Sequence, residues 1–374
     1  MKSKNILIIC PFFRPNIGGV ETHLDLLTKY LVSQKHKITV LTYKPLTTKS
    51  TDYKKIEKSK NLIIYRYWWF GQKTFDKTTP YPFLQFLYIV PKLLFHTLKY
   101  LYQNHKKIDV IHAHGFAAAS ITKISCLFFP VKKTIVSTHY LYPNLNIKNL
   151  STKLLKSVFD SFDQILLVSQ QSGKQLQKIG ISSSKMVKYQ HWIDSSVYKP
   201  SNKKNKNFSI LFVGRIIKSK GIFRLLQATK KLPRDFQFTV IGDGPDFNKL
   251  KQESLNQANF HLIGKKNPIE IIPYYQSHHL TILPSITPEA QPLTIMESLM
   301  CGTPIITTNL GSVVDMYPNT VGFKINPSIN NIVKTIKYCS LHPGQIKIMS
   351  GLARKFAINN FSSKNANTIE QSYL

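Results

Sequence analysis

Two acids and two cations are the side chains whose types and spacing best suit chemistry. Glu289 and Glu297 are separated by seven residues within the stretch from Leu283 to Pro304. An apolar run, Leu280-Thr281-Ile282-Leu283, ends at Pro284-Ser285, and a polar loop carrying Glu289 follows. Pro292 suits a first helical position, Gly302 suits the residue just past a helix end, and Pro304 blocks continuation. The stretch therefore predicts strand, loop and then a helix from Pro292 to Cys301. Unpaired N–H groups and the positive end of the helix dipole at that start favour an anion such as a phosphate. One acid can reach a hydroxyl-bearing group beyond the phosphates and the other a hydroxyl-bearing group on the opposite side. The alternative is a pair of solvated surface acids. With only 18 Asp+Glu in the chain, two framing an anion site favour the functional pair. Arg215 and Lys220 stand at another strand-to-helix turn, where a guanidinium fork and an ammonium together hold two adjacent phosphates.

Other turns have the same character. Gly18-Gly19-Val20-Glu21 follows the apolar run Asn5 to Cys10 and opens an amphipathic helix through about Val32. Paired glycines there allow close approach to backbone N–H groups, although the spacing is not the dinucleotide fingerprint and a plain turn reads equally well. Gly242-Asp243-Gly244-Pro245 closes the strand Phe238 to Ile241. Asp109 to Gly115 reads as a strand whose alternation puts His112 and His114 on one face at its C-terminal end, where open α/β sheets bind ligands. No third ligand is spaced to complete a metal site, which favours hydrogen bonding over metal. Thr134 to His139 repeats the arrangement.

The elements that position these residues alternate strand and helix. Ile38 to Thr42, Leu62 to Tyr65, Gln164 to Ser169 and Met186 to Tyr189 complete the strands of a first half, with a lysine-rich loop after Thr42. The pattern restarts at Phe208 to Val213, continues through a helix from Ile222 to Lys230 and the strand Phe260 to Ile263, and reaches turns at Gly311-Ser312 and Gly322 before a helical C-terminus. That order indicates doubly wound parallel sheets. Residues 199–207, polar and without periodicity, read as a linker.

The chain has 374 residues, enough for two domains with proper cores. Lys+Arg 51 against Asp+Glu 18 gives a net charge of +33, which implies anionic partners: nucleic acid, acidic lipid headgroups or phosphorylated substrates. Cys10, Cys126, Cys301 and Cys339 are widely spaced and read as reduced core residues of a cytosolic protein. The N-terminal apolar run is brief, leads into Pro11 and reads as a strand rather than a signal peptide. Tyr65 to Tyr102 is dense in aromatics and lysines, with Asp76 its only acid. Its longest apolar run, Phe86 to Val90, is far short of the roughly 20 residues that span a bilayer. Such a segment suits a lipid headgroup layer or, equally, a core helix with an aromatic loop.

Gly18-Gly19-Val20-Glu21, His112-Ala113-His114, Val213-Gly214-Arg215, Lys220-Gly221, Gly242-Asp243-Gly244-Pro245, Glu289 and Glu297 with seven residues between, and Cys301-Gly302-Thr303-Pro304 resemble, in order and spacing, the family-4 retaining glycosyltransferases of group 1. The resemblance covers almost the whole chain. It implies an α/β fold of the GT-B kind, with two Rossmann-like doubly wound parallel-sheet domains facing across a cleft. The expected layout is an acceptor-side domain at 1–198, a linker at 199–207, a nucleotide-sugar-binding domain at 208–355 and a helix at 356–374 returning to the first domain. By position, Arg215 and Lys220 would neutralise the diphosphate, Glu297 would hold the ribose and Glu289 the transferred sugar. Gly19 would offer its N–H to phosphate, and His114 would lie beside the sugar. Gly18, Gly214, Gly242, Gly244, Pro292, Leu293 and Thr294 complete the implied donor site.

The resemblance also implies same-face attack in which the leaving phosphate takes the acceptor proton. No covalent nucleophile stands out, and no Asp-x-Asp metal clamp is present. No metal or other cofactor is therefore expected; the UDP- or GDP-linked sugar is a co-substrate. Two departures bear on donor preference: Gln291-Pro292 replaces a frequent aromatic-glycine pair, and His191-Trp192 replaces an asparagine-glycine. The expected function is a retaining transferase acting on a glycan or lipid-linked acceptor in cell-envelope synthesis, in the cytoplasm or at the inner face of the plasma membrane, with peripheral contact to anionic lipid and no specific nucleic acid. A soluble small-molecule acceptor, or a non-catalytic polyanion-binding protein, are the alternatives.

Overall fold

The computed structural model describes residues 2–48, 52–78, 81–142 and 145–374. Positions 49–51 of the lysine-rich loop and 79–80 of the aromatic segment lie outside them. The chain divides into two compact units, Met1–Gln190 with Asn365–Leu374, and His191–Lys364.

The first unit is built on a sheet of strands β1 (Asn5–Ile9), β2 (Lys37–Tyr43), β3 (Ile56–Ser59), β4 (Leu62–Tyr67), β5 (Val110–His114), β6 (Lys133–Thr138), β7 (Gln164–Leu167) and β8 (Met186–Lys188). Their order is β3-β4-β2-β1-β5-β6-β7-β8. Every pairing is parallel except the edge strand β3, which runs antiparallel to β4. The short hydrophobic run of β1 is buried because it lies between β2 and β5, with Ile8 opposite Val40 on one side and His112 on the other.

The second unit holds β9 (Ser209–Val213), β10 (Gln237–Ile241), β11 (Phe260–Gly264), β12 (Leu280–Leu283), β13 (Ile305–Thr308) and β14 (Gly322–Ile325). They form an all-parallel sheet in the order β11-β10-β9-β12-β13-β14. Alternation along β9 sends Ile210 and Phe212 into one apolar layer and Leu211 and Val213 into another, so both faces are covered. In each sheet the chain leaves the central strand in one direction and returns to its other side. The order therefore reverses between β1 and β5, and again between β9 and β12; beyond the carboxyl ends at such reversals, open α/β sheets bind ligands.

Several expectations need correction. The lysine-rich loop contains β3, and Gly322 opens a strand rather than a turn. Pro292 is the cap preceding the helix Leu293–Met300, not its first residue; its ψ of 124° is extended. The unit boundary falls at Gln190 and His191, ahead of the expected linker, so 199–207 belongs to the second unit. The helix Pro343–Asn360 also belongs there, and only Asn365–Leu374 joins the first.

Those last residues are fastened by a buried polar set. Glu370, 4% exposed, accepts hydrogen bonds from Tyr30 at 2.7 Å and His36 at 3.0 Å. Tyr373 Oη lies 2.8 Å from His112 Nδ1, and the other nitrogen of His112 bonds Ser137 at 2.8 Å. A buried polar group left without its partner is costly. Tyr373→Phe should therefore destabilise the first unit by about 1–2 kcal/mol while preserving its packing, an effect that urea unfolding followed by circular dichroism will measure.

Candidate functional site

In the second unit the turns after β9, β10 and β12 are packed together. Gly242 follows β10 with φ at +150°, and a side chain there would collide with the carbonyl of Gly214 after β9. Ile216 N–H donates to Asp243 O at 2.9 Å, and Gly244 lies against the Ile216 backbone. Arg215 is thereby held on an exposed turn at the end of the central strand, with no hydrogen bond or ion pair to its guanidinium among the described residues.

Lys220 reaches the same edge by a different route. Lys218–Lys220 forms a single 3₁₀ turn, and Gly221 follows with φ at +72°, capping the helix Ile222–Thr229. Gly221 lies so close to the Pro284 carbonyl that any side chain would collide with it, and Ile286 N–H donates to Ser219 O at 2.8 Å. These contacts lay the lysine turn against the loop after β12. Lys220 Nζ consequently donates to Glu289 Oε1 at 2.5 Å, and Ser285 Oγ donates to the same oxygen at 2.5 Å. Glu289 Oε2 takes no hydrogen bond among the described residues. The Glu289 backbone is fixed by a bridge to Gly311 and by Ser312 N–H, which donates to its carbonyl at 2.9 Å.

The helix Leu293–Met300 starts at this edge. Thr294 Oγ1 donates to Val213 O at 3.2 Å, tying its first turn to the end of β9, and Leu293 is buried. Glu297, half-buried, accepts from Tyr275 at 2.7 Å on one oxygen and from Tyr198 at 3.3 Å on the other. Burial raises its pKa above the ordinary carboxylate value, and the two tyrosine hydrogen bonds oppose that rise. Arg215, Lys220, Glu289, Gly214, Gly242, Gly244 and Thr294 are thus gathered by the interlocked turns after β9, β10 and β12 and the helix that leaves β12. Ser285, Tyr198 and Tyr275 were not anticipated, since a serine and two tyrosines carry no spacing signal of their own.

The two departures from the family pattern meet. Gln291, 9% exposed, accepts the His191 N–H at 2.8 Å through Oε1. The residue that precedes the helix cap is therefore joined to the residue at which the second unit begins.

In the first unit Gly18 caps the helix Gly19–Ser33 after β1. The Glu21 carboxylate lies against Gly18, so an anion arriving at that helix start meets an acid. His112 and His114 share a face, with ring centroids 4.1 Å apart. Both of His112's ring nitrogens bond internal side chains, which makes it a framework residue. His114, at the very end of β5, bonds His139 at 3.2 Å, and Tyr189 lies 3.5 Å from the other nitrogen of His139. Among the described residues no group of three or more His, Cys, Asp or Glu is arranged to hold a metal ion.

Burial pushes the pKa of His112 down to about 3 and that of His139 down to about 4. Unfolding returns both to about 6.5. Below that value the unfolded chain binds protons that the folded chain does not, so stability falls as pH falls toward 4. His139→Gln should shallow this slope by about one proton, which urea unfolding measured from pH 7 to pH 4 will report.

Comparison with known proteins follows the same division of the chain. Residues 17–196 match the model of Glycosyltransferase Family 4, and residues 195–355 match that of Glycosyl transferases group 1. A phosphatidylinositol N-acetylglucosaminyltransferase subunit of Arabidopsis thaliana is 23% identical over 89% of this chain and 73% of its own length. The Homo sapiens protein of the same name is 22% identical over 90% of this chain and 68% of its own. Among solved structures, the sucrose-phosphate synthase of Thermosynechococcus elongatus superposes with a TM-score of 0.81 at 16% identity, covering 99% of this chain and 98% of that one. Anabaena Alr3699/HepE in complex with UDP gives 0.75 at 16% identity, over 98% of this chain and 99% of that one. The chain belongs to the group 1, family 4 glycosyltransferases, with the two parallel-sheet α/β domains of the GT-B fold.

Proposed function

We propose that the protein transfers a sugar from a UDP- or GDP-linked donor, with retention and without a metal, to a glycan or lipid-linked acceptor in cell-envelope synthesis. The reaction is assigned to the cytoplasm and the inner face of the membrane. The observation that carries the reading is the assembly of Arg215, Lys220 and Glu289 beyond β9 and β12, where the sheet order reverses. The names of the relatives, which include lipid-directed N-acetylglucosaminyltransferases, and the UDP complex of a structural neighbour support a UDP-linked donor as the first to test.

Chemically, the bond between the anomeric carbon and the phosphate oxygen breaks, and negative charge grows on the departing diphosphate. Arg215 presents a fork of N–H donors toward it. Lys220 has three ammonium donors, one of them on Glu289, which leaves two for phosphate oxygens. Fixed cations of this kind stabilise the charge as it forms. Glu289 Oε2 is available to sugar hydroxyls, and Oε1 is held by Lys220 and Ser285. Glu297, oriented by Tyr275 and Tyr198, accepts from the ribose hydroxyls. His114, at the carboxyl end of β5, is proposed to hydrogen-bond a sugar hydroxyl. The acceptor oxygen attacks the face the phosphate leaves, and its proton passes to a phosphate oxygen of the leaving group.

UDP and its sugars, or GDP and its sugars, should raise the melting temperature in a thermal-shift screen, because a ligand bound only by the folded state stabilises it. A screen in which no nucleoside diphosphate does so would overturn the reading. Lys220→Ala and Glu297→Ala should each reduce sugar transfer by about 100-fold or more with the circular dichroism spectrum unchanged; near-normal turnover in either would remove that residue from the site.

A further inference from the structure

The aromatic segment resolves into an inner and an outer set. Tyr65, Tyr67, Trp69, Phe86, Tyr88 and Tyr100 pack on the core of the first unit, and Trp69 Nε1 donates to Tyr88 O at 2.8 Å. The outer set has no such place. The helix Pro82–Asn104 turns a continuous stripe to solvent: Phe83, Leu87, Pro91, Phe95, Lys99 and Tyr102. These positions recur every three or four residues, so they line one side of the helix, where a surface helix carries its polar residues. Here that side is apolar: Phe83 is 72% exposed, Phe95 59% and Tyr102 74%.

The stripe does not end with that helix. Gly115–Phe128 packs beside it and Leu150–Asp160 packs beside Gly115–Phe128. Each adds exposed apolar side chains at helical spacing: Ile124, Leu127 and Phe128 on one, Leu150 and Leu154 on the other. Exposed apolar side chains on three neighbouring helices mark an interaction site. Its charge is one-sided. The three helices contain one acid, Asp160, and it is ion-paired with Lys156. Lys99, Lys106, Lys107, Lys148 and Lys153 are exposed on or beside them. Burial together with Lys92, Lys99 and Lys55 pushes the pKa of His96 down to about 4, a sign of the positive field along this helix.

We propose that this three-helix face rests on an anionic lipid bilayer, with the Phe83–Tyr102 stripe at the acyl boundary and the lysines among the headgroups. The residues suit that occupant better than a second copy of the chain, which would set lysines against lysines with no acid to pair them. No helix among the described residues is long and apolar enough to cross a membrane, so the contact lies on the surface. The inference deepens the membrane-face part of the proposed function and rests on it, but it uses none of the donor-site residues.

The test is flotation of the full chain with vesicles of phosphatidylcholine and phosphatidylglycerol in equal parts, against phosphatidylcholine alone, at low salt. The protein should float with the anionic vesicles only, and added salt should weaken binding. Phe83→Ser/Leu87→Ser/Phe95→Ser should abolish flotation, and Lys106→Glu/Lys107→Glu, which spares the apolar stripe, should reduce it. Both variants should keep the wild-type melting temperature and the wild-type thermal shift with UDP, which separates failure of this surface from failure of the donor site. Ile269→Ser/Leu341→Ser, on exposed positions of the second unit, should float as the wild type does. The proposal is overturned if the wild type stays with the unbound fraction, if the stripe variant floats normally, or if light scattering shows a stable dimer that the stripe variant dissolves.

Discussion

A single close approach of backbone to backbone underlies the arrangement of charge in the second unit. Gly221 lies against the Pro284 carbonyl with a spacing that no side chain tolerates, and Ile286 donates to Ser219 beside it. The loop after β12 and the turn after β9 thereby become one object. Lys220 and Glu289, 69 positions apart in the chain, meet within it. The second interlock, of Gly242 and Gly244 with the Gly214–Ile216 backbone, holds Arg215 at the same edge. The backbones that carry Lys220, Glu289 and Arg215 are thus fixed by close contacts, and the Lys220 ammonium is paired with the Glu289 carboxylate. Under the proposed function, such pre-set charge costs no reorganisation when the reaction develops its own.

The first unit treats its polar groups differently. His112, fully buried between Ser137 and Tyr373, is neutral and spends both nitrogens on the framework. His114, two residues on and at the end of the strand, shares the same face but bonds His139, also neutral. Neighbouring histidines on one strand therefore divide into a structural member and a member at the strand's carboxyl end. What separates them is depth along the strand rather than chemistry.

Much of this was legible in the amino acids. Continuous apolar runs such as Ser209–Val213 and Leu280–Leu283 could only be buried parallel strands, and glycines at their ends marked turns needing close approach. The edge strand Ile56–Ser59 was hidden because three of its four residues are exposed and its sequence reads as loop. β13 was hidden by Pro304, which ends a helix and starts a strand in adjacent positions. The unit boundary was misplaced because 199–207 has a linker's composition yet is fastened within the second unit, as where Asn205 N–H donates to Ser277 O at 2.9 Å. At the site, charged residues were recoverable from type and spacing. Their supports, Ser285, Tyr198 and Tyr275, come from distant segments that only the fold assembles, and the Gln291 bond to His191 joins two positions that no sequence pattern connects.

The fastening of Asn365–Leu374 to the first unit also governs the order in which the molecule can be made. Tyr30 waits for Glu370, and His112 for Tyr373, so partners made early on the ribosome are completed only after the whole second unit has been synthesised. Contacts of such long range are slow to form. Until residues 365–374 have been synthesised, the bonds from Tyr373 to His112 and from Tyr30 to Glu370 cannot form.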